Sequence, residues 1–339
     1  MIAHRDILSE VLRSVRLRGA IYFNVSGGPR WVAEAPPSHA IAAAVLPGAE
    51  HVMEYHVVTR GSCWGAIVGE APVRLEAGDI VLFPQGDAHV MSSAPGMRAP
   101  ADVDPFFRMP RDHRPFALHV GEEGNYAAPA AGEPVESTLV CGFLGCDLRP
   151  FNPLIATLPR LLHLRAGDGA DWISKFMRQT LEESKGGKPG GEAMLERMSE
   201  MMFIDAVRRY VDTMPGESRG WLAGLRDRHV GRALALVHES PAHAWTVDEL
   251  GKRVGLSRSA LHERFQEMIG QPPMQYLANW RMQVGAALLR NTNATVASVA
   301  QDVGYESEAA FTKAFKRVVG KTPSEWRRGR VVAQAPGDD

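Results

Sequence analysis

The sequence predicts an α+β multidomain protein: an N-terminal β-barrel, a helical connector, and an all-α C-terminal domain of two tandem helix-turn-helix units. Three observations carry this expectation. Up to about Ser93 the apolar residues come in short runs bounded by Gly and Pro, whereas past Pro153 they recur at helical spacing. The C-terminal third repeats itself at an offset of 49 to 50 residues. Charge is also divided: residues 226–330 hold 16 Lys and Arg against 10 Asp and Glu, in a chain whose net charge is -1. The expected boundaries are a barrel domain over 1–150, a helical connector or dimerisation element over 151–213, and a helix-turn-helix domain over 226–330.

The elements follow in order. Ile7, Leu8, Val11, Leu12 and Val15 predict an amphipathic helix over about 6–18. Tyr55–Val58 and Ser62–Val68 flank Arg60-Gly61, which reads as a two-residue hairpin turn, and Ile80–Phe83 reads as a further strand. Two stretches, 94–115 and 122–136, read as loops. Leu154, Ile155, Leu158, Leu161 and Leu162 share a helical face, with a second stripe at Trp172, Phe176 and Leu181. A long helix over about 192–211 carries Leu195, Met198, Met202 and Val207, and residues 214–220 read as a linker.

The repeat carries most information. Thr246-Val247…Val254-Gly255 matches Thr295-Val296…Val303-Gly304, and Ser257/Ser307, Phe265/Phe315 and Gly270/Gly320 follow. Each copy offers a Thr cap, a short apolar-faced helix, a glycine turn, a Ser cap and a second helix with buried aromatics or Leu. Opposite the Leu261/Phe265 stripe lie Ser259, His262, Glu263 and Gln266. Opposite Phe311/Phe315 lie Glu308, Ala309, Thr312, Lys313 and Lys316. These side chains suit base edges, while Arg258, Arg264, Arg317, Arg327 and Arg328 suit phosphates.

The stretches Gly255–Phe265, Trp280-Arg-Met282, Val303–Ser307, Phe311–Arg317 and Gly320–Pro323 resemble the AraC/XylS family of transcription regulators. The resemblance implies two helix-turn-helix units joined by a long helix over about Pro273–Leu289, with the second helix of each entering successive major-groove segments of double-stranded DNA. It implies a promoter or operator as partner, a small-molecule effector, and RNA polymerase as a further candidate partner. A homodimer through the barrel or the 151–213 helices is expected because their apolar stripes exceed what a single bundle face needs. His262 and Glu263 depart from the basic residues that many members carry there.

In the N-terminal half Gly78-x5-Pro84-x-Gly86-x2-His89 reproduces the second cupin motif. Glu54-x6-Gly61 resembles the end of the first, without its His-x-His. The resemblance is to a cupin-type sensor domain. Strand alternation puts Glu54 and His56 on one face, and the Arg60-Gly61 turn would pair Val58 with Cys63. Glu54, His56, Cys63 and His89 are thus expected to converge as a pocket for an organic effector or for a divalent metal such as zinc.

Composition excludes several classes. A content of 45% hydrophobic and 23% charged residues suits a globular chain, and no apolar run reaches a membrane span. Charges at His4, Arg5, Asp6 and Glu10 leave no signal-peptide core, so a cytoplasmic location is expected. Cys63, Cys141 and Cys146 are too few for a disulfide framework, and Cys141 and Cys146 read as buried thiols. No catalytic residue is assigned. The rival readings are a metal-dependent cupin enzyme fused to a DNA-binding domain, against which the incomplete metal set argues, and a regulator whose barrel only dimerises.

Overall fold

The computed structural model describes residues 6–108, 115–128, 132, 134–167, 172–173, 175 and 189–332. The chain divides into two compact units, one of Leu17–Cys146 and Leu158–Thr213, the other of Met1–Arg16, Asp147–Thr157 and Met214–Asp339. The division is not collinear with the sequence. Residues 1–16 and 147–157, placed by the sequence with the sensor and connector, group with the helical unit, and most of the connector groups with the barrel. Helix α1 (Ile7–Ser14) is one of those displaced pieces; it is capped by Asp6, whose carboxylate accepts from the Ser9 amide at 3.0 Å.

In the first unit, strands β1 (Arg18–Gly27) and β2 (Val32–Ala35) precede helix α2 (Ser38–Val45). Strands β3 (His51–Arg60), β4 (Ser62–Ile67), β5 (Val73–Glu76), β6 (Ile80–Phe83) and β7 (His89–Ser92) follow. Then come α3 (Asp104–Arg108), β8 (Phe116–Val120), β9 (Tyr126–Ala127), β10 (Ser137–Cys146), β11 (Leu162–Leu164) and helix α4 (Gly191–Thr213). The strands form a seven-stranded sheet, β11-β6-β3-β10-β1-β8-β9, and a four-stranded sheet, β2-β7-β4-β5. Phe23, Val58, Phe83 and Phe143 from the first sheet share one core with Ile67, Leu75 and Met91 from the second.

Both faces of β3 and β10 are buried, because α4 covers the other side of the large sheet. There the Tyr55 hydroxyl meets Ser199 Oγ at 2.6 Å, and a Cβ on Gly19 would sit 2.5 Å from the Ser199 Cβ. Only a glycine lets strand and helix approach this closely.

Two local expectations are corrected. Arg60-Gly61 is not a hairpin turn: β3 and β4 belong to different sheets, and β4 pairs with β5 and β7, so Cys63 lies opposite Leu75, not Val58. The chain changes sheet at Gly61. The 154–162 stretch is not a helix but a single 3-10 turn at Ile155–Thr157 followed by β11. Its leucines at 162 and 164 alternate into the core on β6, and a strand-edge pattern this short is easily mistaken for helical spacing. Phe176 and Leu181 lie outside the described residues.

In the second unit, α5 (Trp221–Arg226), α6 (Arg228–Glu239), α7 (Val247–Val254), α8 (Arg258–Ile269) and α9 (Pro273–Asn291) lead to α10 (Val296–Asp302), α11 (Glu308–Val319) and α12 (Pro323–Val332). The displaced pieces are held to α6 and α9 by buried polar contacts. Gln283 on α9 accepts from the Phe151 amide at 3.0 Å and donates to the Ser14 carbonyl at 2.8 Å. Asp147 receives Arg16 and Arg290, each at 2.6 Å. His238 bridges Glu10, at 3.2 Å, and the Tyr276 hydroxyl, at 2.8 Å, while stacking on Trp280. None of these contacts has a local sequence signature.

Candidate nucleic-acid interface and barrel pocket

The duplicated motif folds as the repeat predicts. Thr246 Oγ1 accepts from the Glu249 amide and Thr295 Oγ1 from the Ser298 amide, both at 3.1 Å, starting α7 and α10. Gly255 (φ +77°) and Gly304 (φ +80°) take the left-handed conformation at the two turns. Ser257 and Ser307 then cap α8 and α11 through the Ala260 and Ala310 amides, both at 3.2 Å. Leu261 and Phe265 are buried under α8, and Phe311 and Phe315 under α11.

The opposite faces are open. Arg258, Ser259, His262, Glu263 and Gln266 on α8 are exposed, as are Glu308, Ala309, Lys313, Lys316 and Arg317 on α11 and Arg328 on α12; Thr312 is half-buried. Two of the arginines expected to hold phosphates are engaged elsewhere. Arg264 forms a forked pair with Asp227, with its closest contact at 2.6 Å, and Arg327 donates to the Ala294 carbonyl. Asp227 also caps α6, accepting from the His229 and Val230 amides at 3.0 and 2.8 Å. Burial works against its charge, but Arg264 and the two amides outweigh it and hold the carboxyl below its ordinary range.

The barrel pocket is built from both sheets. Glu54 and His56 point inward from β3, one residue apart, and His89 starts β7 on the facing sheet, directly after the Pro84–Gly86 turn. Phe83 stacks on the His89 ring with centroids 3.8 Å apart. His56 Nε2 and His89 Nε2 are 2.7 Å apart, Glu54 Oε2 is 3.6 Å from His89 Nε2, and Ser38 donates to Glu54 Oε1 at 3.0 Å. His89 Nδ1 faces the Asp87 carbonyl at 3.1 Å, which can only accept. Nδ1 therefore carries the proton, and His56 Nε2–H donates to the lone pair on His89 Nε2. Burial pushes Glu54 up to about 8 despite the Ser38 bond and lowers His89 to about 4; burial, with His89 beside it, also holds His56 well below its ordinary range.

Above this floor lies a cavity of about 70 Å³, walled by Phe23, Val25, Phe106, Leu118 and Phe143, with Tyr126 and Asp102 also lining it. Cys63 does not line it. Cys141 does, standing opposite His56 on the neighbouring strand β10. Burial, with the nearby Glu54 carboxylate, pushes its thiol well above the ordinary range. The sequence reading treated Cys141 as a structural thiol. Its register beside β3, and those of Phe23 and Leu118, carry no sequence signal.

Glu54, His56 and His89 offer ligand atoms within 4.8 Å of one another, two imidazoles and a carboxylate. The residue types fit a divalent metal, and the Asp87 carbonyl behind His89 is the usual orienting partner. The two Nε2 atoms, however, are bonded to each other at 2.7 Å, and tetrahedral ligation at ordinary bond lengths would need them about 3.4 Å apart.

Comparison with known proteins decides the family. The cupin family profile matches residues 6–212, and a helix-turn-helix domain profile matches 250–329. An AraC-like transcription regulator of Streptomyces lividans is 30% identical over 325 residues, covering 95% of this chain and 98% of that protein. The chain belongs to the AraC-like transcription regulators. A further member, the HTH-type transcriptional regulator AlkR of Acinetobacter baylyi, is 26% identical over 328 residues, covering 95% of this chain and 99% of AlkR. The DNA-binding domain of AdpA, solved with a target DNA, is 26% identical, covering 33% of this chain and 99% of that one, with a TM-score of 0.31. This AraC-like regulator binds double-stranded DNA through its C-terminal helix-turn-helix region, and the relatives named here are regulators of transcription, not enzymes. No helix among the described residues is long and apolar enough to cross a membrane.

Proposed function

We propose that the barrel cavity binds a small-molecule effector and that its occupancy sets how the helix-turn-helix region engages promoter DNA. The observation that carries this is a cavity of aromatic walls over three convergent buried polar groups, the usual construction of a small-molecule site. A route for the signal is covalent. Strand β1 begins two residues after Arg16, and β10 ends immediately before Asp147. Both residues belong to the group of side chains fixed around α9, the helix that joins the two readers. An effector that favours one arrangement of β1 and β10 would bias α9 by its differential affinity alone.

On the DNA side, Ser259, His262, Glu263, Gln266, Glu308, Ala309, Thr312, Lys313 and Lys316 are the candidate base readers, and Arg258, Arg317 and Arg328 the candidate phosphate contacts. The protein would act in the cytoplasm as a homodimer; Met194 and Met201, 44% and 49% exposed and two turns apart on α4, support an apolar dimer face. RNA polymerase is the partner expected if the protein activates. The test is a compound screen by thermal shift on the full-length protein, followed by DNA binding with each active compound. His89→Ala should stay folded and lose the response. A stable variant responding like wild type would overturn the reading. The metal reading has one observation in its favour, the Glu54, His56, His89 set; metal analysis of the purified protein separates the two, with one equivalent retained through dialysis expected only for a metal site.

A further inference from the structure

We propose that the effector is an uncharged ring compound bearing one hydrogen-bonding group, of the phenol, naphthol or arylamine kind. This rests on the reading that the cavity binds an effector, and narrows it to a class.

The walls set the first half of the argument. Phe23, Phe106 and Phe143 pack edge to face around the cavity, with centroids 5.8 to 6.5 Å apart, and Val25, Leu118 and Met91 complete the lining between them. Such rings favour a flat apolar ligand, which gains both area burial and ring contacts. A cavity of about 70 Å³ admits a small ring compound and excludes a polymer segment.

The floor sets the second half. The two imidazoles bond to each other: one proton lies between their Nε2 atoms at 2.7 Å, the other end of His89 is bonded to the Asp87 carbonyl, and His56 Nδ1 is buried without a hydrogen-bond partner. A second proton between those nitrogens would set two N–H groups against each other, and one on His56 Nδ1 would be buried with no acceptor beside it, so the pair is a poor partner for an anion. Among the described residues lining the cavity there is no Lys or Arg, and the two remaining charged types are Glu54 at the floor and Asp102 at the rim. A carboxylate, sulfonate or phosphate group would therefore be buried against acidic and neutral groups, with no cation to offset its lost hydration. A cation reaching the floor would have to give up its hydration for one carboxyl already engaged by Ser38. A hydroxyl or arylamine N–H loses little on entry and recovers a hydrogen bond at Glu54.

A fluorescent probe series tests the class on the full-length protein. The members are uncharged N-phenyl-1-naphthylamine, its anionic relative 8-anilino-1-naphthalenesulfonate, and cationic N-(1-naphthyl)ethylenediamine. The uncharged probe should bind saturably, at one per chain, and at least about tenfold more tightly than either charged probe. Ala33→Trp, on the edge strand β2 and lining the cavity, should abolish its binding in protein shown by thermal unfolding to remain folded. Asp102→Arg, at an exposed position, should recover binding of the anionic probe by several-fold. If the anionic or cationic probe binds as tightly as the uncharged one and Ala33→Trp abolishes both, the class is wrong although the cavity binds ligands. A tighter anionic probe whose advantage disappears after metal removal would likewise overturn it, in favour of a metal at the floor. If no probe binds, or Ala33→Trp leaves binding unchanged, the cavity itself is not the ligand site and the effector reading falls as well.

Discussion

Gln283→Leu is the most informative single change in the helical unit. The side chain is 1% exposed and makes two bonds, accepting from the Phe151 amide and donating to the Ser14 carbonyl. Leucine fills nearly the same volume but leaves the part-buried Phe151 N–H and Ser14 C=O without these partners. Each such group costs about 1–3 kcal/mol, and the added apolar burial returns roughly 1 kcal/mol. The net destabilisation is about 1–5 kcal/mol, which for a unit of this size lowers its melting temperature by about 2–20 °C. Calorimetry on the full-length protein should show that loss. Gln283→Glu should lose less, because it retains the acceptor for the Phe151 amide. A melting profile for Gln283→Leu that overlays wild type would show that the residues before β1 and after β10 are not fastened to α9, and the proposed signal route would go with them.

Arg328→Ala, at an exposed position on α12, should weaken binding to all DNA sequences alike and reduce the slope of log affinity against log salt by about one; an altered base preference would contradict a phosphate role. Asp227→Ala removes a helix cap and the Arg264 pair, at a cost of about 1–2 kcal/mol at pH 7. Because the Asp227 carboxyl titrates below its unfolded value, that contribution is present above about pH 4 and lost as pH falls through the folded value. Acid unfolding curves of variant and wild type should therefore converge, and a gap that widens in acid would refute the assignment. Gly304→Ala should destabilise more than Gly255→Ala, which costs about 1 kcal/mol for its left-handed φ. At Gly304 the added Cβ also meets the Ala242 carbonyl, whereas Gly255 faces open space. Equal losses in urea unfolding would show that the turn contact is absent.

What the sequence revealed follows from where each signal lies. The helix-turn-helix units were legible because their caps, turn glycines and apolar positions act within a few residues of one another. The cupin motif was legible for the same reason, since a Pro/Gly turn launches His89 directly. Cys63 failed because its placement rested on a turn type. Arg60-Gly61 has the residues of a hairpin turn, yet a chain that moves between facing sheets uses the same left-handed glycine, here at φ +73°. The pocket walls were invisible, since Phe23, Leu118 and Cys141 reach the cavity through strand registers spanning 85 to 118 residues. Arg264 and Arg327 looked like phosphate contacts by helical position alone. Asp227 and the Ala294 carbonyl claim them, and those partners lie 37 and 33 residues away in sequence.

The most direct test of the account is selection of duplexes from a random pool by the full-length protein, run in parallel for wild type, Gln266→Ala and Lys313→Ala. Wild type should enrich a site with two specified segments about one helical turn apart, one for each of α8 and α11. Gln266→Ala should relax preference in one segment and Lys313→Ala in the other, each at a cost of about 1–3 kcal/mol for the preferred base. An enriched site that both variants select with wild-type preference would contradict the assignment of these helix faces to the DNA.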